Sequence, residues 1–258
     1  MTTKRQWLKA LLFGVLLLAP TLSHGQWATQ ANRRRFTCGY PANVPGLVAL
    51  WKVESVPAID AQAIDVWVDC LYRNEAAAAT TARPTYKTAI FGNKPVARFN
   101  GTANTMLLQT TITLQTNTGW SVIACWAYNG GAGTRYLISR PAAGAGGIRI
   151  DVSAAQRFIF DGVLFPSSNL PGATGTNPLM GTFAYTGSTC QFREATSSLG
   201  NNQGALGLNI DIAQFGSQNS GAFFLGDLAE IMFYNRPLTD AEMDGMYLNY
   251  LKPKYSIP

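Results

Sequence analysis

Along most of the chain, apolar and polar residues alternate in short runs that end in Gly, Asn, Ser or Pro. This period of two is the mark of strands with one face buried. In "AIDVWVDC", Ile64, Val66 and Val68 alternate with Asp65, Trp67 and Asp69. "LVALWKV", "TGWSVIACWAY", "TRYLISR", "GGIRIDV", "QRFIF", "PLMGTFAYTGSTCQFRE" and "ALGLNIDIAQFG" continue the series. Many short strands without intervening helices predict an all-β sandwich or barrel. Residues 75–82 are rich in Ala and Thr and read as a helical turn or a plain loop. Asn100-Gly101 is a strong hairpin signal. Asn100-Gly101-Thr102 also matches the acceptor pattern for N-glycosylation, but the Asn-Gly pair already has a conformational reason to stand there.

The pattern changes in "GDLAEIMFYNRPLTDAEMDGMYLNYLKPKY", residues 226–255. Residues 228–234 are apolar on both strand faces apart from Glu230, which predicts a central strand covered on both sides. Strict alternation puts Ala229, Ile231 and Phe233 on one face and Leu228, Met232 and Tyr234 on the other. Asn235-Arg236-Pro237 breaks the strand, since proline cannot donate to a ladder. Thr239 and Glu242 have capping-box spacing, and Leu238 and Met243 can staple across the cap. Met243, Met246, Tyr247, Tyr250 and Leu251 form one helical stripe, which Pro253 is expected to stop. An open two-layer sandwich holds such a helix more easily than a closed barrel.

Three bases, Lys4, Arg5 and Lys9, precede an apolar run at residues 10–19, and Ser23 and Gly25 are small residues before Gln26. This is the layout of a secretory signal over residues 1–25, with an uncleaved anchor as the alternative and the only expected tie to a membrane. Residues 26–43 read as a linker, and residues 44–258 as the sandwich. The formal charge of +6 is concentrated at the front. Six of the 20 Lys and Arg fall before Phe36, where no acid stands, so the remaining bases match the 14 acids. A nucleic-acid partner is therefore not expected, because such domains carry a basic footprint on the folded body. The only histidine, His24, lies beside the cleavage position. A mature chain without histidine has no histidine-based triad and few routes to a zinc site. Cys38, Cys70, Cys125 and Cys190 allow three pairings, none with CxxC spacing. Cys38–Cys70 is the first choice, and Cys125, inside a strand, reads as a buried thiol or a bridge.

"LVALWKVESV", "VWVDC" and "RPTYKTAIFGNKPVARFNGTANTMLL", together with the C-terminal stretch above, resemble the concanavalin A-like lectin/glucanase superfamily in its laminin-G-like, jelly-roll branch. The resemblance brackets residues 44–255. It implies an all-β fold: a two-sheet antiparallel jelly-roll sandwich with a short C-terminal helix that covers the sandwich edge. It also implies that Asp69 bonds backbone amides in a turn. Catalytic members of this architecture carry an "E-x-D-x-x-E" strand, because glycoside cleavage uses two carboxyls across the scissile bond. That spacing is absent: Asp227 and Glu230 lie three apart with no third carboxylate in register. The expectation is accordingly no enzyme and no catalytic residues. Glu230 reads either as a group with a raised pKa or as a carboxylate tied to an arginine or loop amides.

Trp51, Trp67, Trp120 and Trp126, with Tyr128 and Tyr136, are candidates for stacking on sugar rings, although such aromatics also build cores. The densest group is "WAYNGGAGTRY", where Trp126, Tyr128, Asn129, Arg135 and Tyr136 flank a glycine-rich turn and form the expected ligand site. The resemblance also allows calcium in rim loops, with Asp151, Asp161, Asn201 and Asn202 as scattered ligands. Otherwise no cofactor is expected. The expected function is an exported, non-catalytic lectin-like domain, secreted or at the cell surface, that binds a glycan or a partner surface. The alternatives are a structural or display protein of a cell envelope or virus particle, and a glycan-cleaving enzyme with an atypical site.

Overall fold

The alternating runs become strands in a computed structural model that describes residues 38–130, 134–140, 147–151, 157–160, 163–164, 178–203, 209–218 and 221–258. The leader over residues 1–25 and the linker up to residue 37 lie outside the described residues. In chain order the strands are β1 (Leu47–Lys52), β2 (Val66–Val68), β3 (Glu75–Ala77), β4 (Thr85–Phe91), β5 (Lys94–Asn100), β6 (Met106–Leu114), β7 (Trp120–Tyr128) and β8 (Thr134–Ser139). There follow β9 (Gly147–Asp151), β10 (Arg157–Phe160), β11 (Val163–Leu164), β12 (Leu179–Tyr185), β13 (Thr189–Glu194), β14 (Ser197–Gln203), β15 (Ile210–Phe215) and β16 (Leu225–Tyr234). They form two antiparallel sheets. The first has the order β14-β13-β12-β7-β16-β5-β4, with β1 also paired to β16. The second has the order β11-β10-β9-β8-β15-β6-β3-β2. The expected all-β sandwich with a short C-terminal helix is the observed fold.

Two apolar layers result. One lies between the sheets and includes Trp51, Trp67, Phe99, Trp120, Trp126, Tyr128, Phe215 and Phe233. Trp51 and Phe215 meet edge to face across this layer, with ring centroids 5.1 Å apart. The two indoles are tied to the backbone as well: Trp51 Nε1 donates to the Trp67 carbonyl and Trp67 Nε1 to the Lys52 carbonyl, both at 3.0 Å. The other layer lies outside the first sheet. There Leu50, Val96, Ile123, Cys125, Ala127, Met180, Ala184, Ala229, Met232 and Tyr234 meet Met243, Met246, Tyr247, Leu251 and Tyr255 of the helix. The helix thus covers the outer face of the sheet across its central strands, not the edge. With both faces covered, β7 and β12 are buried at every position.

The central strand β16 departs from strict alternation. Its pairing with β7 shifts register between Leu228 and Glu230. The extra residue of this bulge reverses the phase of the side chains. Leu228 therefore joins Ile231 and Phe233 between the sheets, while Ala229 joins Met232 and Tyr234 under the helix. The bulge also divides the far side of β16. Residues up to Leu228 pair with β5, and residues from Glu230 onward pair with β1.

Helix α1 (Asp240–Met246) opens with the expected capping box between Thr239 and Glu242. Arg236 adds two hydrogen bonds to the Glu242 carboxylate. Arg193 of β13, buried by the helix, pairs with Asp240 and Asp244, each at 2.7 Å. A π turn over Tyr247–Leu251 leads into α2 (Lys252–Tyr255). Pro253 does not end the helix: the wider π turn gives its ring room and needs no amide there. The end comes at Ser256, in the left-handed conformation at φ 52°.

Other local expectations shift for stereochemical reasons. Part of the Ala-rich stretch is strand β3, paired with both β2 and β6, and not a helical turn or loop. Asn100-Gly101 joins β5 of the first sheet to β6 of the second, so it is a corner between layers and not a hairpin. The hairpin is one turn earlier, between β4 and β5. There Gly92 and Asn93 both have positive φ, 52° and 63°, as a two-residue turn of matching twist requires. At the front, Cys38 and Cys70 are bonded. Residues 38–43, the end of the expected linker, pack on the body: Tyr234 donates to the Pro41 carbonyl, and Tyr40 stacks on Tyr250. Cys125 is a buried thiol under the helix, and Cys190 is buried between the sheets, so these two do not meet.

The cap gives the helix an acid limit. Hydrogen bonds from Arg236, then the Thr239 amide and hydroxyl, hold the Glu242 carboxyl down to about 2 from its ordinary 4.5. A depressed folded-state pKa means that this contribution is complete above about 4.5 and is lost as pH falls toward 2. Thermal unfolding followed by circular dichroism should show a decline in that window that flattens in Glu242→Gln.

Candidate functional site

The five residues around the glycine-rich turn do not share one surface. Trp126 and Tyr128 point between the sheets, and both are almost wholly buried. Trp126 lies flat against Gly181 on β12 and leaves no room for a Cβ there. Tyr136 is 4% exposed. None of the three rings offers a face to solvent. Strand β7 is covered on both sides, so no alternation in its sequence could separate outward aromatics from core ones. The turn itself joins β7 of the first sheet to β8 of the second, so it is a crossing between layers and not a hairpin. Arg135 ties β8 to the β5–β6 corner and to the segment before β16, donating from Nη1 to the carbonyls of Gly101 at 3.0 Å and Phe223 at 3.1 Å.

Asn129 has a different setting. It continues the outward series Cys125, Ala127 of β7, just beyond the apolar layer beneath the helix. Asn129 follows the end of β7, its N–H donating to the Leu225 carbonyl at 3.0 Å, and lies diagonal to Asp227 of β16, whose neighbour on β5 is Arg98. Arg98 grips Asp227 with two parallel bonds, Nε to Oδ1 and Nη2 to Oδ2, each 2.8 Å. Asn129 Nδ2 approaches Asp227 Oδ2 at 3.5 Å. Asp227 is completely buried, whereas the Arg98 side chain is 37% exposed. The Asn129 Oδ1 atom is buried with no hydrogen-bond partner among the described residues. Its hydrogen bonds to Asp227 raise the Arg98 pKa further, so the guanidinium stays charged. This cluster offers a fixed planar donor on β5, a carboxylate on β16 and an amide just past the end of β7. Sequence reading did not find it. Asp227 and Arg98 are far apart in the chain, and only cross-strand register brings them together.

Glu230, the other carboxylate of β16, shares the outer face with Asp227 because the bulge lies between them. It is completely buried under the helix. Its Oε1 accepts from Tyr250 at 2.8 Å, and its Oε2 accepts from Tyr255 at 2.7 Å and Lys254 at 2.8 Å. Lys254 also meets Glu54 at 2.6 Å. The partners are a lysine and two phenols, in place of the expected arginine or loop amides. Burial, then the Glu230 charge, pushes the hydroxyls of Tyr250 and Tyr255 well up, so both remain donors. Burial lowers the pKa of neighbouring Lys52, against the pull of Glu230. Lys52 Nζ donates to the Cys38 carbonyl at 2.6 Å, which connects this network to the disulfide. Asp69 accepts from the amides of Leu50, Leu71 and Arg73, as the family resemblance implied.

Of the calcium candidates, Asp161 lies outside the described residues. Asp151 belongs to β9 of the second sheet, and Asn201 and Asn202 belong to β14 of the first. Among the described residues, no three His, Cys, Asp or Glu side chains gather as a metal site would need.

No protein-family model and no curated protein matches the sequence. Solved structures share its fold. Trypanosoma rangeli sialidase, in complex with the inhibitor DANA, superposes with a TM-score of 0.55 at 16% identity, over 86% of this chain and 37% of the sialidase. The binding domain of Paraclostridial Mosquitocidal Protein 1 gives 0.57 at 13% identity, over 80% and 52% of the two chains. A mutant GH54 α-L-arabinofuranosidase, soaked with 4-nitrophenyl α-L-arabinofuranoside, gives 0.57 at 12% identity, over 76% and 52%. The chain therefore spans between about a third and a half of these proteins. What they share with it is the β-sandwich, and two of the three are glycosidases. This overturns the expectation that the chain is not an enzyme. A missing "E-x-D-x-x-E" strand excludes one arrangement of carboxylates, not an activity class found among proteins of this fold.

Two substitutions separate packing from surface roles. Removing one partner of a buried ion pair strands the other, so Glu230→Gln should lower the unfolding free energy by about 3 kcal/mol. Trp126→Ala should cost about 3–5 kcal/mol, as a large core deletion does. Urea denaturation reads both, and a neutral result for Trp126→Ala would return its ring to the surface.

Proposed function

We propose that the chain is an exported carbohydrate-recognising sandwich of the concanavalin A-like, laminin-G-like kind, and that it meets its glycan at the rim of Arg98, Asp227 and Asn129. The observation that carries this reading is the recurrence of the same sandwich in a sialidase, an arabinofuranosidase and a toxin's binding domain. The rim supplies suitable chemistry. Its guanidinium and amide can donate to sugar hydroxyls. Asp227 keeps Arg98 in one orientation, which limits the entropy lost on binding. Arg135, tied to the Gly101 and Phe223 carbonyls, fixes the corner that follows β5. The charged leader and apolar run of residues 1–25 support export to the medium or the cell surface. With the rings of Trp126, Tyr128 and Tyr136 all buried, the affinity for one glycan unit is weak and rises with repeated display.

Affinity electrophoresis through a panel of polysaccharides, with and without calcium, tests the proposal. Retention by at least one polysaccharide is expected, reduced several-fold in Asn129→Ala while the melting temperature holds. Free migration through every polysaccharide in both states would end the reading. The same incubations should be assayed for released reducing sugar, because glycosidases are among the proteins that share the fold.

A further inference from the structure

The sequence holds one Asn-x-Ser/Thr pattern, Asn100-Gly101-Thr102, in all of its 258 residues. The turn and the acceptor pattern looked like competing explanations for these residues. The structure makes them compatible, because the turn uses only half of the Asn100 amide. Asn100 Oδ1 accepts from the backbone N–H groups of Thr102 at 3.0 Å, Ala103 at 3.0 Å and Asn104 at 3.3 Å. Gly101 takes φ 74°, and its own N–H is held by the Phe224 carbonyl at 2.9 Å. Asn100 Nδ2 makes no hydrogen bond among the described residues, and both Asn100 and Thr102 are exposed. The carbonyl is spent on folding, and the nitrogen is left to solvent.

We propose that Asn100 is a site of N-glycosylation when the chain passes through a compartment that holds a lipid-pyrophosphate-linked oligosaccharide and its transferase. This rests on the export reading given above. In the transfer a bond forms between Asn100 Nδ2 and C1 of the first sugar. The bond from C1 to the pyrophosphate oxygen breaks, the lipid pyrophosphate leaves, and the displaced Nδ2 proton passes to a base of the transferase. The product is a secondary amide that keeps its carbonyl, so the three hydrogen bonds of the turn survive. On β5, Asn100 falls two residues beyond Arg98, on the same face of the strand. A glycan fixed there stands beside the proposed binding rim.

The test is expression of the full chain in a eukaryotic secretory host, once with its own residues 1–25 and once with a proven secretory leader in their place. The mass of the peptide containing Asn100 is read from the medium and the microsomal lumen. One glycan is expected, removed by an amidase that leaves Asp at position 100, and absent from Thr102→Ala, which keeps the turn's amide bonds. An unmodified peptide from the chain carrying the proven leader overturns the proposal. Modification with the proven leader but not with the native one upholds the acceptor and sinks the export reading. A glycan that persists in Thr102→Ala also overturns it, because the modification then lies elsewhere.

Discussion

Burying the Glu230 carboxylate is the constraint from which much of this architecture follows. An ionised group with no access to water must be compensated in place, or the fold does not close. Here the compensation comes from Lys254, Tyr250 and Tyr255, all on the C-terminal helical segment. Helix and sheet are therefore joined by more than apolar contact. Lys254 passes the connection to Glu54, and Lys52 carries it to the backbone of Cys38. One carboxylate thereby organises the helix, the turn after β1 and the disulfide-bonded front of the domain. A phenol or an ammonium placed elsewhere on the helix would leave it uncompensated, so the helix has one seat on the sheet. Apolar packing alone, being non-directional, would not choose it.

Much of the architecture was legible in the residue pattern because burial on one face writes a period of two. The strand around Phe233, the cap at Thr239 and the pair Cys38–Cys70 could all be read before any coordinates. The errors share a cause. Pairing register is a relation between distant strands and leaves no local trace. The bulge at Leu228–Glu230 reversed which residues of β16 face the inner layer, and nothing in "GDLAEIM" announces it. The Asn100-Gly101 corner has the composition of a hairpin but joins two layers, because turn residues specify backbone angles and not the partner of the next strand. Pro253 was read as a stop by the rule for α-helices, and a π turn is outside that rule.

The polar cluster at the rim was harder to read than the fold. Tryptophan in a strand has the same local signature whether it faces a sugar or a core, and here Trp126 and Tyr128 serve the core. The polar row of Arg98, Asp227 and Asn129 drew less notice because each member is ordinary by itself. Its members come together only through the pairing of β5, β16 and β7. The solved structures share the sandwich with this chain at identities where side chains no longer correspond, so they do not pick out these residues.

The placement of β16 has a consequence for how the protein is made. The strand at the centre of the first sheet, flanked by β7 on one side and by β5 and β1 on the other, is the last strand to be synthesised. Until it emerges, the earlier strands of that sheet lack their shared neighbour. Folding is then governed by contacts of very long sequence separation, which are slow to form. A nascent chain of this design stays open for most of its elongation.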